Sequence, residues 1–383
     1  YRGIRYARRR EMRAGRLTMK DPAGIPAQPI AASARGAAQS PAVFEDFSGA
    51  HLTRARMTMT LVALSLLALI SAIVAAAFGS VHISLIRALS EPLSPDHAIF
   101  ISARLPRVLM GAAVGAALAA VGAALQALVR NPLAEGGILG ISGGGAFGAI
   151  VALVFVAGRA GAVATVPLCA FGAALLSTVV VYRLAVVDGR LEPFTLLLVG
   201  VIFNSIWGAA IMLLNSVVNY YYVHDIVFWL MGSLEAPTYG EVAMVTVLGV
   251  AGFAVLMAHA RDLNLLSLGD EAAGELGVDV DPMRRLIFVA TSVMIAAAVS
   301  VSGIISFVGL IVPHVLRLAF GADHRLLLPA SFLGGAAFLV LADLLARVAI
   351  SPTELPVGAI TALCGGPFFI YMLRREGRGP LAL

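Results

Sequence analysis

Hydrophobic runs of membrane-crossing length alternate with short polar stretches from residue 59 onward, and this pattern predicts a bundle of helices. The runs at 59–79, 105–129, 138–157, 163–187, 194–214 and 242–259 each suit a hydrocarbon core of about 30 Å. The next run, 286–318, is too long for one crossing. Gly303 and Pro313 interrupt it, so it predicts a seventh helix and a shorter eighth. Runs at 326–349 and 355–373 complete an expected ten crossings, an all-α polytopic fold in which a five-plus-five inverted repeat is allowed. A segment at 226–234, preceded by Tyr220, Tyr221 and Tyr222 and carrying Trp229, is too short to span and reads as an interfacial or re-entrant helix. The first run resembles a signal peptide with Ala75, Ala76 and Ala77 at the cleavage site, but about twenty apolar residues exceed an ordinary signal core, so it reads as a spanning helix.

One long polar interruption, residues 263–285, stands out against this background. Its acidic residues Asp270, Glu271, Glu275, Asp279 and Asp281 lie among small residues, with Leu265, Leu268 and Leu276 at helical spacing. The pattern predicts a short amphipathic helix closed by Gly277, followed by Asp281 as N-cap and Pro282 as first position of the next helix. Such a segment is either a solvated connector or the surface through which a separate engine drives the chain. Residues 1–56, rich in Arg, Ala, Pro, Gly and Ser, read as a basic disordered tail; 57–376 form the membrane domain and 377–383 a short tail. The chain opens on Tyr1, and Met12, Met19 and Met57 are each candidate starts.

Composition agrees with a polytopic membrane protein: of 383 residues 60% are hydrophobic and only 13% charged, with a mean hydropathy of +0.92. The net charge of +5 does not point to nucleic acid, because the arginines lie in loops at membrane boundaries. Arg130, Arg183, Arg190, Arg261, Arg284, Arg285, Arg317 and Arg325 mark loops expected on the cytoplasmic side, as do the arginine-rich tails, so both termini are expected there. Cys169 and Cys364 lie in separate apolar runs without metal-ligand spacing and read as packing residues.

Three arginines break the charge rule: Arg104 and Arg107 at the outer start of the second crossing, and Arg347 at the outer end of the ninth. Asp343 lies four residues before Arg347 and can pair with it on one helix face. Arg104 and Arg107 have no acid at helical spacing, which favours a solvated positive rim awaiting an acidic external partner. The chain's one lysine, Lys20, lies in the tail, so there is no P-loop and no nucleotide hydrolysis by this chain. Ionisable residues are sparse in the spans, which disfavours an ion-coupled secondary carrier, and no catalytic constellation marks a membrane-embedded enzyme. A permease driven by an external ATPase fits both observations.

The runs RLPR (104–107), GAALQALVRNPLAEGGILGISGG (122–144), SLGDEAAGELGV (267–278), SGIISFVGLIVPHVLRL (302–318), DHRLLLP (323–329), LADLLAR (341–347) and ELPVGAITALCGGPFF (354–369) resemble the FecCD, or type II, permeases of iron-chelate and cobalamin ABC importers. The resemblance implies a homodimer in the bacterial inner membrane with two cytoplasmic ATPase subunits, which bind the ATP and Mg, and a periplasmic substrate-binding protein; it implies no cofactor on this chain. It places docking to the binding protein on Arg104, Arg107 and Arg347. ATPase coupling falls on Gly269, Asp270, Glu271, Ala272, Ala273, Gly274, Leu276, Gly277 and Val278, with Ala272 and Ala273 facing the ATPase. A cytoplasmic gate falls on Asn131, Pro132 and Leu133 with Pro193 and Phe194, although Glu192 to Thr195 departs from the small hydroxyl residues of some relatives. The path falls on Asn204, Ala359, Thr361, Gly365 and Phe368. An apolar path suits a bulky chelate that must be released; haem is the favoured cargo, with ferric siderophore and cobalamin as alternatives. His314, in the recurring VPH run, reads as structural rather than as a haem ligand.

Overall fold

The α4 helix, Leu105–Leu128, forms the axis of the bundle: 83% of its apolar window is buried, and its Gly and Ala positions face neighbours on every side. A computed structural model describes residues 53–156, 162–351 and 353–376, all within the compact unit Ala50–Leu383. The predicted tails at 1–56 and 377–383 fall almost wholly outside the described residues; only 53–56 are seen, and α1 (Arg54–Ala77) begins there, capped by Thr53. Two short helices, α2 (Leu85–Ser90) and α3 (Pro95–Ile99), fill the connection to α4, and a π-helical turn at Phe100–Arg104 carries α3 into it. The apolar pattern had not disclosed α2 and α3, which are shorter than two turns.

After α4 come α5 (Ile141–Val156), α6 (Ala162–Ala185), a two-stranded hairpin of β1 (Val186–Val187) and β2 (Arg190–Leu191), and α7 (Pro193–Val217). Then α8 (Tyr220–Met231) precedes α9 (Tyr239–Ala258), which opens on a capping box of Thr238 and Glu241. The expected short helix at 226–234 is therefore present as α8, but it starts at the tyrosines. The remaining elements are α10 (Ala260–Leu268), α11 (Asp270–Glu275), α12 (Val280–Ser302), α13 (Val308–Phe320), α14 (His324–Val348) and α15 (Val357–Glu376). Among the described residues seven helices are long and apolar enough to cross a membrane, and shorter apolar helices lie at Ile141–Val156, Tyr222–Met231, Val308–Phe320 and Val357–Tyr371. This is a polytopic all-α architecture.

Three local expectations need correction. The break in 286–318 is at Gly303 (φ 66°), whereas Pro313 lies inside α13. A proline there frees the carbonyl four residues earlier, and that carbonyl, Gly309 O, accepts instead from Gln126 Nε2 at 3.2 Å. The helix after the polar segment starts at Val280 with Asp279 as N-cap, so Pro282 sits within the first turn, where a missing N–H costs nothing. The polar segment itself forms two helices, not one, because Gly269 (φ 121°) turns the chain between α10 and α11.

Backbones meet where both partners are glycine. A Cβ on Gly115 would collide with Gly335 O of α14, and one on Gly122 would collide with Gly309 O of α13. Lipid supplies no hydrophobic drive between helices, so close approach and dispersion carry the packing. Gly115→Leu is expected to lower the thermal unfolding midpoint of the detergent-purified chain, since overpacking costs about 1–3 kcal/mol. Gly172→Leu, at an α6 position with nothing within 4 Å, is expected to leave that midpoint unchanged or higher.

Candidate functional site

At the end where α4 starts, a buried cluster of charge joins α1, α4, α14 and the connection to α15. Asp343, 2% exposed, receives Arg107 Nε at 3.0 and 3.1 Å on its two oxygens, and Arg347 Nε lies 3.0 Å away on the other side. Arg107 Nη1 reaches Glu354 Oε2 at 2.5 Å, and Ser80 Oγ donates to Glu354 Oε1 at 3.0 Å. Burial pushes the Glu354 carboxyl up, but the hydrogen bond and charge of Arg107 outweigh it and hold the group below its ordinary value.

Arg347, together with Arg104, also closes the end of α1. Arg104 donates to Ala76 O at 3.0 Å, to Ala77 O at 2.8 Å and to Val81 O; Arg347 donates to Ala75 O at 3.1 Å and Phe78 O at 3.3 Å. The last carbonyls of a helix lack internal partners and carry partial negative charge, so guanidinium groups suit them on both counts. The expectation of a solvated rim is thus overturned: Arg104, Arg107 and Arg347 are 5%, 8% and 3% exposed, and their partners lie within the chain. The simpler pairing of Arg347 with Asp343 holds. Spacing along one helix concealed the partners of Arg107, which come from α14 and from residue 354. An inventory matching each misplaced cation to an acid would have pointed to Asp343 and Glu354.

At the opposite end the polar segment is tied to several spans. Asp270 pairs with Arg284 of α12 and lies 3.7 Å from Arg130, just past α4; Arg284 Nη1 also donates to Leu191 O at 3.4 Å, ahead of α7. Asn264 of α10 donates to Asp323 Oδ1 at 2.9 Å and accepts from His324 N at 2.8 Å, which fastens α10 to the start of α14. Burial pushes the Asp323 carboxyl up, yet its hydrogen bonds from Arg325 and Asn264 lower it to about 2. Because the folded value is depressed, the stability this carboxylate contributes is complete above its ordinary value of 3.8 and is lost as pH falls through about 2.

Gly277 has φ 89°, with Gly277 N bonded to Gly274 O and Val278 N to Ala273 O, both at 3.0 Å. This is the left-handed cap expected there, in its Schellman form. Ala273 is fully buried in this chain's core and so does not face outward as expected, and Ala272 is half-buried. The core-facing apolar side chains are Leu263, Leu266 and Ala273, whereas Leu268 (67% exposed) and Leu276 (62%) project from the segment beside Glu271, Gly274 and Glu275.

Asn131 Oδ1 accepts from Leu133 N at 2.9 Å, a turn that leaves Pro132 and Leu133 exposed. Pro193 is the first residue of α7, Phe194 is 72% exposed, and Glu192 caps the helix through Phe194 N and Thr195 N. Glu192, and not a small hydroxyl residue, therefore caps this helix. The two segments meet indirectly: Arg130 and Leu191, their chain neighbours, converge on the Asp270–Arg284 pair.

Of the expected path residues, Asn204 donates to Gly137 O at 2.7 Å and Ala359 is exposed, but Thr361 is buried with its hydroxyl on Gly358 O. Gly365 is buried under Phe307, and Phe368 is half-buried. His314 is buried in α13. Cys169 is half-buried, while Cys364 is exposed on α15 and so does not pack within this chain.

A model of the FecCD transport family matches residues 64–375. The chain is 47% identical over 278 residues to the cobalamin import system permease protein BtuC of Halobacterium salinarum, covering 72% of this chain and 73% of that one. It is 40% identical over 280 residues to the hemin transport system permease protein HmuU of Yersinia pestis, covering 73% and 84%. Among solved structures, a metal-chelate type ABC transporter in an inward-facing conformation superposes with a TM-score of 0.74 at 31% identity, over 83% of this chain and 99% of that one.

Reversal of Arg107 to glutamate is expected to cost about 3–5 kcal/mol of stability, because it leaves the buried Asp343 and the half-buried Glu354 beside a third carboxylate. The measurement is the unfolding midpoint and monodispersity in detergent. Arg87→Glu, at a side chain 62% exposed in its pair with Asp96, is expected to change the midpoint little.

Proposed function

Because the chain belongs to the FecCD transport family, a family of ABC importer permeases, we propose that it carries a bulky metal tetrapyrrole inward across the bacterial inner membrane. The relatives named for cobalamin and for hemin support that cargo class. They do not favour haem over cobalamin, so the haem preference widens to the class that the two share. A ferric siderophore is the remaining alternative.

The observation that carries the proposal is α11 and its flanks. A helix with a Schellman cap is tied through Asp270 to the ends of α4 and α12, yet it exposes Leu268 and Leu276 beside acidic residues. A mere connector has no need of apolar side chains held out on a braced helix; a docking surface for an ATPase does. In this scheme the polar segment is cytoplasmic and the buried arginine cluster lies at the outer end, beneath the surface that meets the binding protein. Ten crossings follow if α5, α13 and α15 join the seven long helices and α8 stays within one leaflet. The polar segment then follows the sixth crossing, and a five-plus-five repeat divides at α8. Both termini lie in the cytoplasm.

Two copies of the chain, two ATPase subunits and a binding protein complete the assembly, with ATP and Mg on the ATPase. Ala359, Phe194 and much of α7 face outward from a single copy, which supports a path formed between two. Uptake of cyanocobalamin or hemin into proteoliposomes is expected only with ATPase subunits, binding protein and ATP all present; uptake by the chain alone under an ion gradient would sink the proposal. Leu276→Arg is expected to abolish ATPase co-purification while leaving the unfolding midpoint near that of the parent. Gly277→Val is expected to weaken it, since φ 89° penalises a Cβ even in open space. Normal co-purification in both variants would leave the segment a connector.

A further inference from the structure

Two interruptions of regular helix lie against each other inside the bundle: the α4–α5 connection, 129–140, and the α12–α13 break, 303–307. The later part of the connection, 135–140, meets the break within the thickness of the spans, whereas Arg130 to Leu133 lie at the end that carries the polar segment. Gly309, near the start of α13, packs on Gly122, six residues and about 9 Å of rise before the end of α4. Irregular backbone at that depth persists only where protein encloses it or where it borders a water-filled cavity.

Glu135 makes the contact between the two. Its Oε2 accepts from Phe307 N at 2.9 Å. Phe307 is the N-cap residue of α13, its own side chain caps nothing, and it stands at φ 70° without being glycine. A costly conformation of this kind survives when its surroundings over-determine it, and the carboxylate is the polar part of those surroundings. The positive end of the helix dipole favours it further. The Phe307 ring covers Gly365 of α15, where any side chain would collide with it. The other face of the connection is held too: Asn204 of α7 donates to Gly137 O at 2.7 Å, and Ser177 of α6 donates to Gly140 O at 2.9 Å. Two spans and the break thus hold one short strip, whose only regular part is a single 3-10 turn at Gly136–Leu139, through polar contacts in a place where such contacts are otherwise sparse.

We propose that Glu135 is a positioning residue of the transport step: its contact with Phe307 N fastens the two broken segments as the closure of the path, and parting that contact opens it. The inference rests on the importer reading above. It predicts that the carboxylate's reach, not only its presence, sets how tightly the resting protein is sealed.

The test uses proteoliposomes of the full chain loaded with cyanocobalamin, scored for passive efflux, together with hydrogen exchange of the amides of Phe307 to Ile311. Glu135→Ala is expected to raise both about tenfold, the effect of a part-buried amide losing its acceptor. Glu135→Gln keeps an acceptor oxygen and is expected to stay within about twofold on both. Glu135→Asp keeps the charge but withdraws it by one methylene; it is expected to leak several-fold, about half of the alanine effect on a logarithmic scale, and it serves where the alanine variant does not fold. Exchange that rises without efflux would reduce the contact to a structural cap and overturn the proposal, as would a glutamine variant that leaks as much as alanine. Neither readout needs the ATPase, so absence of ATP-driven uptake by the parent assembly would count against the importer reading separately.

Discussion

Asp343 lies between two guanidinium groups, with almost no access to solvent, and the end of the bundle where α4 starts depends on that arrangement. A carboxylate taken out of water is tolerable only when its lone pairs are satisfied, and removing one partner of such a group costs about 3–5 kcal/mol. The guanidinium groups face the same demand. Arg347 turns its remaining donors onto the open carbonyls of α1, and Arg104 joins it there. One cluster therefore resolves two problems that lipid creates: buried charge, and a helix end with no water to bond. It also explains why α1, whose apolar window is only 22% buried, stays attached to α4 and α14.

The middle of the bundle obeys the same constraint by other means. Where Pro313 frees the Gly309 carbonyl, Gln126 takes it, and Arg317 Nη2 anchors Gln126 Oε1 at 2.6 Å from the other side. Gly122 leaves Gly309 room to approach that closely. Proline, glycine and glutamine each look like a local irregularity in the sequence, yet together they make one contact. Packing through glycine brings the backbones into van der Waals range, and the polar side chains then close whatever the broken helix leaves open.

This explains what could be read from the sequence. Hydrophobic run length located the long spans to within a few residues, because crossing a hydrocarbon layer imposes a length that composition must show. Gly277 was legible as a cap because a left-handed residue near a helix end favours glycine strongly. The short helices α2 and α3 were not legible, since they lie outside the apolar runs and follow from Ser84 and Ser94 caps. The environment of Arg107 was hidden for a different reason: its acids are 236 and 247 residues away in the chain, and helical spacing reports only local neighbours. Ala273 was misplaced because composition cannot tell which side of a six-residue helix faces the core. The departure at Glu192 looked like a defect against the family pattern, and it became intelligible only as a helix cap.

The two ends of the molecule differ in how firmly they are held, and the difference has a direction. At the arginine cluster the ion pairs are buried to 10% exposure or less at Arg107, Asp343 and Arg347, so separating them would strand charge in a medium that cannot solvate it. At the polar segment, Arg130 and Asp270 are 45% and 42% exposed and Arg190 is 78% exposed; water takes over each partner on separation, and such pairs are worth about 0–1 kcal/mol apiece. The Asp270–Arg284 pair is the exception at this end: its carboxylate is open to solvent, but its arginine is buried and would be left without its charge partner. Apart from that one pair, a load applied to α11 therefore meets less resistance where it enters than at the far end, where the buried charges are clustered. Rigid-body motion of helices about that cluster needs no break in the bundle, only the exchange of weak contacts at one end for others of similar energy.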